Sequence, residues 1–324
     1  MALDTEMFQE LTIDLRQPPS DRWRLTAVQR DQARELLNIY KRDLGLNAEA
    51  DEFLFSNAKD FIRADYWREM ESLARQLALQ VADAVLCSLY YDLLKVVFGR
   101  AFGCTAFAID SPDGVLHARN LDWWTENSTL SRYTAICHFV GGPAGKFTTI
   151  GWPGFVGVFS GIAPGRFAVT LNAVLSLELP QIATPVVFLL RSVLEGARSF
   201  DEALKLLSQS PIPCDCLLLL TGTAPGELVV IERTPSRNAV RRAQSGFLCV
   251  TNGYQKLDVG LGSTSSELLA TTCQRFERVE TLIRKRHPAN QEDCLRYLSD
   301  PEVRMHMTVQ QMVFRAATGG CWLT

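Results

Sequence analysis

The chain has 324 residues, 47% hydrophobic and 21% charged, a balance that fits a folded globular protein and excludes long disorder. With 33 basic and 36 acidic residues the net charge is −3, which excludes bulk attraction for nucleic acid. Nine scattered cysteines, an odd number, do not make a complete disulfide framework, and the expected setting is a reducing cytoplasm.

The first fifteen residues carry several acids and no apolar run, so no secretory signal peptide is expected. Residues 11–15 alternate as a short strand and end in the turn-like Gln17-Pro18-Pro19-Ser20-Asp21. From 26 to 102 the composition is helical, with apolar residues at three-and-four spacing over 31–43 and 64–99. The most apolar stretch, 84–103, contains Asp92, Lys95 and Arg100, which would sit inside a bilayer if it spanned one. A membrane span is therefore not expected.

After Gly103 the pattern changes to short strands. Residues 105–109 and 115–118 form a hairpin across Ser111-Pro112-Asp113-Gly114. Further strands are predicted at 133–140, 146–151, 156–160, 166–171, 216–221, 227–233 and 246–251. Helices are predicted at 185–196 and at 199–209, the second capped by Ser199. A helical tail covers 265–286 and 290–298, while 309–314 reads as strand or helix. Hairpins grouped apart from helices argue for α+β layers, not alternating βαβ units.

The sharpest chemical feature is Gly103-Cys104-Thr105 at one end of the first hairpin and Arg119-Asn120-Leu121-Asp122 at the other. Pairing across the turn brings these ends together. A thiol beside a guanidinium is readily ionised; the alternative is a core cysteine near a surface arginine. Asn172 and Asn252 each end a strand, where an amide can serve as an oxyanion donor or simply as a turn residue. The four histidines, His117, His138, His287 and His306, show neither metal-ligand spacing nor a Cys–His dyad. Cys214 and Cys216 read as core residues, Gly260-X-Gly262 as a loop, and Arg284-Lys285-Arg286 as a solvated helix end. No metal or cofactor is expected. A thiol enzyme without a histidine needs another base.

The block C-T-A-F-A-I-D-S-P-D-G-V-L-H-A-R-N-L-D, from Cys104 to Asp122, resembles the processing site of acid ceramidase and N-acylethanolamine acid amidase. These belong with the choloylglycine hydrolase-like N-terminal-nucleophile hydrolases. Thr12-Ile13-Asp14-Leu15 with Pro18-Pro19 and Arg22-Trp23, the block 151–172, and Ile231-Glu232-Arg233 with Val250-Thr251-Asn252 resemble further family segments in the same order.

The resemblance implies a four-layer αββα sandwich. Residues 1–103 would form a strand plus helical segment, and 104–324 the catalytic domain. It implies self-cleavage between Gly103 and Cys104 into two pieces that stay associated. The freed α-amine, with an ordinary pKa near ~8, would then be the missing base. Cys104 would be the nucleophile, Arg119 would favour thiolate, Asp122 would hold the amine, and Asn252 with Asn172 would donate to the oxyanion. The family's later arginine stands in an Asp-Asp-Arg-Arg segment absent here, and Arg275 is the candidate for it. Trp123, Trp124, Trp152 and Phe155 either line an apolar acyl channel or pack as core.

The expected activity is hydrolysis of a linear amide of an apolar acyl chain, a small-molecule substrate, lipid or otherwise. Contact with a membrane would be peripheral at most. Acyl transfer through the same thioester and a non-catalytic binding protein are the alternatives. The named relatives are lysosomal, so without a signal peptide a bacterial-type intracellular protein is expected.

Overall fold

The computed structural model describes residues 8–44, 59–98, 103–123, 128–259 and 267–324. Trp124 and the Gly260-X-Gly262 loop lie outside them. The chain opens with β1 (Gln9–Asp14) and helices α1 (Ala27–Leu44), α2 (Ala64–Leu77) and α3 (Val81–Phe98). The single helical stretch expected over 64–99 is two helices. Ala78 adopts a left-handed conformation (φ 52°) and closes α2. Its N–H and that of Leu79 donate to the carbonyls of Arg75 and Ala74. No glycine or proline marks this break, so spacing alone does not reveal it.

The hairpin β2 (Gly103–Ser111) and β3 (Gly114–Asp122) follows, then α4 (Thr129–Arg132), β4 (Ala135–Val140), β5 (Phe147–Gly151), β6 (Ser160–Ala163) and β7 (Phe167–Asn172). Helices α5 (Val186–Gly196) and α6 (Phe200–Gln209) precede β8 (Cys216–Thr221), β9 (Leu228–Arg233), β10 (Asn238–Arg242) and β11 (Phe247–Val250). The chain ends with α7 (Glu267–Lys285), α8 (Gln291–Leu298), β12 (Thr308–Arg315) and β13 (Gly320–Leu323). Ser199 caps α6 by accepting the Glu202 N–H at 3.1 Å, and Asn290 caps α8 in the same way through Asp293.

The strand expected at 156–160 begins only at Ser160. Residues 152–158 turn inward instead, with the Val156 N–H donated to Ser88 Oγ and the Val158 N–H to the Val187 carbonyl. Helix contacts replace the ladder there. Strand β10 was not expected, because Asn238-Ala239-Val240-Arg241-Arg242 lies half-exposed at a sheet edge and shows no apolar alternation.

Two sheets carry the fold. One has eight strands in the order β1-β4-β5-β6-β7-β8-β9-β10, and the other has five, β11-β2-β3-β12-β13. β1 pairs in parallel with β4, so residues before Gly103 supply the edge of the larger sheet. Strand alternation divides the core. Phe107, Ile109, Leu116 and Ala118 face α7 and α8, which bring Val279, Ile283 and Leu298. Ala106, Ala108 and Val115 face Leu217, Leu219 and Val230 across the space between the sheets. On β8, Leu218 and Leu220 point the other way, into the core shared with α1–α3 and α5. The result is an α+β, four-layer αββα sandwich.

Two polar devices lock the layers. His117 on β3 reaches Thr170 Oγ1 on β7 at 2.8 Å and Thr221 Oγ1 on β8 at 3.0 Å, stapling sheet to sheet. Complete burial pushes its pKa down to about 3, so it is a neutral structural group. Glu69 on α2 is fully buried and forms a bidentate pair with Arg191 on α5, at 2.6 and 2.8 Å. Trp23 Nε1 and Arg22 Nη1 also donate to Glu69, and Arg191 Nε donates to Glu195. This cluster joins residues on both sides of Gly103. Among the described residues no helix is long and apolar enough to cross a membrane.

Candidate active site

The two-residue turn Pro112-Asp113 sets the hairpin register, pairing Ser111 with Gly114 and hence Gly103 with Asp122 and Cys104 with Leu121. Arg119, two residues from Leu121 on the same face, is then the diagonal neighbour of Cys104. Its Nη2 lies 3.4 Å from the Cys104 Sγ. The guanidinium is fully buried and held by the Phe159 and Leu171 carbonyls and by Ser160 Oγ. Those contacts fix a cation against the thiol.

The backbone nitrogen of Cys104 leaves the ladder. It donates to Asn252 Oδ1 at 3.0 Å. Asn252 stands just past β11, the strand paired with β2, and its Nδ2 donates to the Ala173 carbonyl at 2.8 Å. The same Oδ1 accepts Arg275 Nη2 at 2.8 Å, so the orientation of the amide is fixed from both ends. Asn252 therefore offers its oxygen to Cys104, where an oxyanion role had predicted its nitrogen.

Arg275 arrives from α7 and completes the ring. Its Nη1 donates to the Cys104 carbonyl at 2.7 Å and to Thr105 Oγ1 at 2.8 Å. It also stands 4.0 Å from Asp122 Oδ2. Burial lowers the pKa of Arg275, opposed by the nearby Asp122. Burial likewise raises the Asp122 pKa, against a hydrogen bond from Thr308 and the fields of Arg275 and Arg119. Asp122 Oδ1 accepts Thr308 Oγ1 at 2.5 Å, while Oδ2 has no hydrogen-bond partner among the described residues.

Asn172, at the end of β7, donates Nδ2 to the Val250 and Thr251 carbonyls. It braces the approach to Asn252 and makes no hydrogen bond to Cys104. The structure thus gathers Cys104, Arg119, Asp122, Asn252 and Arg275 around Gly103, with Asn172 one contact away. Three supporting hydroxyls, on Thr105, Ser160 and Thr308, carried no signal in the sequence. His117, His138 and His287 are bonded elsewhere.

Trp123, Trp152 and Phe155 are buried and packed with Phe159. Phe155 stacks on Phe159 at 5.0 Å, Trp123 meets Phe159 edge-on at 5.3 Å, and Tyr90 of α3 stacks on Trp123 at 5.5 Å. Cys104 and this aromatic block belong to one buried core cluster. Cys214 and Cys216 are buried core residues.

The family model for acyl-coenzyme A:6-aminopenicillanic acid acyl-transferase matches residues 109–316. N-acylethanolamine-hydrolyzing acid amidase of Mus musculus is 28% identical over 190 residues, covering 56% of this chain and 50% of that protein. Acid ceramidase of Balaenoptera acutorostrata scammoni is 24% identical over 253 residues, covering 68% of this chain and 62% of that protein. The chain thus spans about half to three fifths of the curated relatives it matches. A solved Caenorhabditis elegans N-acylethanolamine-hydrolyzing acid amidase ortholog has the same fold, with a TM-score of 0.56 and 22% identity. That likeness covers 68% of this chain and all of the solved one. Fold, buried cysteine ring and family match agree: the chain belongs to the acyl-coenzyme A:6-aminopenicillanic acid acyl-transferase family.

Proposed function

We propose that this protein is a self-processing N-terminal-cysteine amidase that hydrolyses a linear amide of an apolar acyl chain, a small lipid-like molecule. One observation carries the reading: the thiol and backbone nitrogen of Cys104 both point into a buried polar ring, directly after Gly103. In processing, Sγ attacks the Gly103 carbonyl carbon and the C–N bond breaks to give a thioester. The proton passes to the Cys104 nitrogen, and water then opens the thioester, leaving a Gly103 carboxylate and a free α-amine.

That amine inherits the place beside Asn252 Oδ1 and near Asp122. It can act as the base, and its ordinary pKa near ~8 suits proton transfer at neutral pH. In turnover the amine takes the thiol proton, the thiolate attacks the acyl carbon, and the departing amine leaves with the proton. Water then releases the acid. The oxyanion role of Asn252 and Asn172 would require each Nδ2 to leave the backbone carbonyls to which it donates. The aromatic block that shares the core cluster of Cys104 supplies the apolar acyl pocket, and its neighbour Trp124 belongs to the same proposal. After cleavage, residues 1–103 stay attached to 104–324 through the β1–β4 ladder and the Glu69–Arg191 pair. The nine free thiols support a reducing compartment.

Acyl transfer to an amine is the second reading, favoured by the activity for which the family model is named. Both readings pass through the thioester. The test uses a long-chain acyl amide of an aminocoumarin, with and without a competing primary amine. Wild type is expected to release the fluorophore and the free acid, and Cys104→Ala to release neither. Turnover unchanged in Cys104→Ala would remove the nucleophile assignment. A new amide as the main product would shift the reading to acyl transfer.

A further inference from the structure

The hydroxyl of Thr308 sits between two groups of opposite demand. It accepts the Met305 N–H at 3.1 Å, and the same side chain lies 2.5 Å from Asp122 Oδ1. Because an N–H can only donate, the hydroxyl proton is left with one direction, toward the carboxylate. The backbone arranges this. Thr308 pairs with Asp122 in the β12–β3 ladder, but the next pair is Gln310 with Leu121, so Val309 is an extra residue. Such a bulge re-aims the side chain beside it. The Thr308 N–H closes a turn onto the Met305 carbonyl, and the Trp123 N–H donates to the Met307 carbonyl. The segment 305–308 is thus clamped to the end of β3.

We propose that Thr308 is a positioning residue for Asp122, holding Oδ1 so that Oδ2 is turned toward Arg275 and the Gly103–Cys104 bond. The proposal rests on the self-processing reading above. With Oδ1 occupied by a fixed donor, the upward push of burial on the carboxylate is opposed, which favours the ionised form. Ionised, it holds Arg275 on the Cys104 carbonyl, and after cleavage it pairs with the new α-ammonium. The charged or titratable groups facing Asp122 are Arg119 on its own strand, Arg275 on α7, His306 ahead of β12, and the Cys104 amine on β2 once freed. Thr308 is the neutral donor among them. Its removal shifts the protonation of Asp122 in one direction: the folded-state pKa, already raised by burial, rises further.

The experiment follows cleavage of freshly translated chain between pH 5 and pH 9 for wild type, Thr308→Val and Thr308→Ser. Valine keeps the shape and removes the donor, whereas serine keeps the donor and removes the methyl group. The expected result is an acid limb displaced upward by about one pH unit in Thr308→Val, with cleavage about tenfold slower below it. Rates on the alkaline plateau stay within about threefold, and Thr308→Ser follows wild type. If the valine profile coincides with wild type, or serine fails as valine does, Thr308 acts through packing and the proposal is overturned. A wild type that never cleaves overturns the self-processing reading itself, and the role of Thr308 with it.

Discussion

Arg275→Ala is expected to slow both self-cleavage and amide turnover by about a hundred- to a thousandfold, the scale of losing one buried donor to a reacting group. Two physical effects add. The Cys104 carbonyl and Asn252 Oδ1 each lose a charge-assisted hydrogen bond, so the Cys104 N–H contact with Asn252 loses its brace from α7. Asp122 also loses a cation 4.0 Å away in a fully buried site, which adds to the upward push of burial on its pKa. Arg275→Lys should recover part of the rate, since an ammonium cannot repeat the guanidinium's several directed contacts. Arg278→Ala is the control. It lies on the same helix but pairs with Asp300 at the surface, and its rate should match wild type. Initial rates of fragment appearance decide the matter. An Arg275→Ala rate within twofold of wild type would exclude Arg275 from the site.

Glu69→Ala is expected to cost about 3–5 kcal/mol, because it strands the fully buried Arg191 guanidinium with Glu195 as its remaining carboxylate. Trp23 Nε1 and Arg22 lose their acceptor at the same time. For a chain of this length that loss corresponds to a melting temperature lower by about 4–7 °C. The pair also joins α2 to α5 across the cleavage point. In cleaved protein the same substitution should therefore let residues 1–103 separate from 104–324 during gel filtration. Calorimetry and gel filtration read the two effects separately. An unchanged melting temperature would show that the pair contributes no net stability.

Much of the site is legible because its geometry is local. The turn at Pro112-Asp113 fixes one register, and that register alone makes Cys104 and Arg119 diagonal neighbours. Asn172 and Asn252 stand at strand ends that apolar alternation located to within a residue or so. Arg275 was named from family resemblance, and the structure brings it within 2.7 Å of the Cys104 carbonyl. The contributions that stayed hidden depend on pairing distant in the chain. Thr308 reaches Asp122 only because of the bulge at Val309, and periodicity says nothing of a bulge. Glu69 and Arg191 are charged residues that helical patterning would send to solvent, yet each cancels the other's burial. The amide of Asn252 also had to be seen in place before its oxygen, not its nitrogen, could be assigned to Cys104.

Every chemical step proposed here depends on Cys104 becoming an N-terminal residue, so the first measurement is denaturing mass spectrometry of the purified wild-type protein. The expected result is two species, residues 1–103 and 104–324, meeting between Gly103 and Cys104, with Cys104→Ala remaining one chain. A wild type still intact at 36.2 kDa after incubation from mildly acidic to alkaline pH would contradict it, because Cys104 would then have no α-amine to act as base.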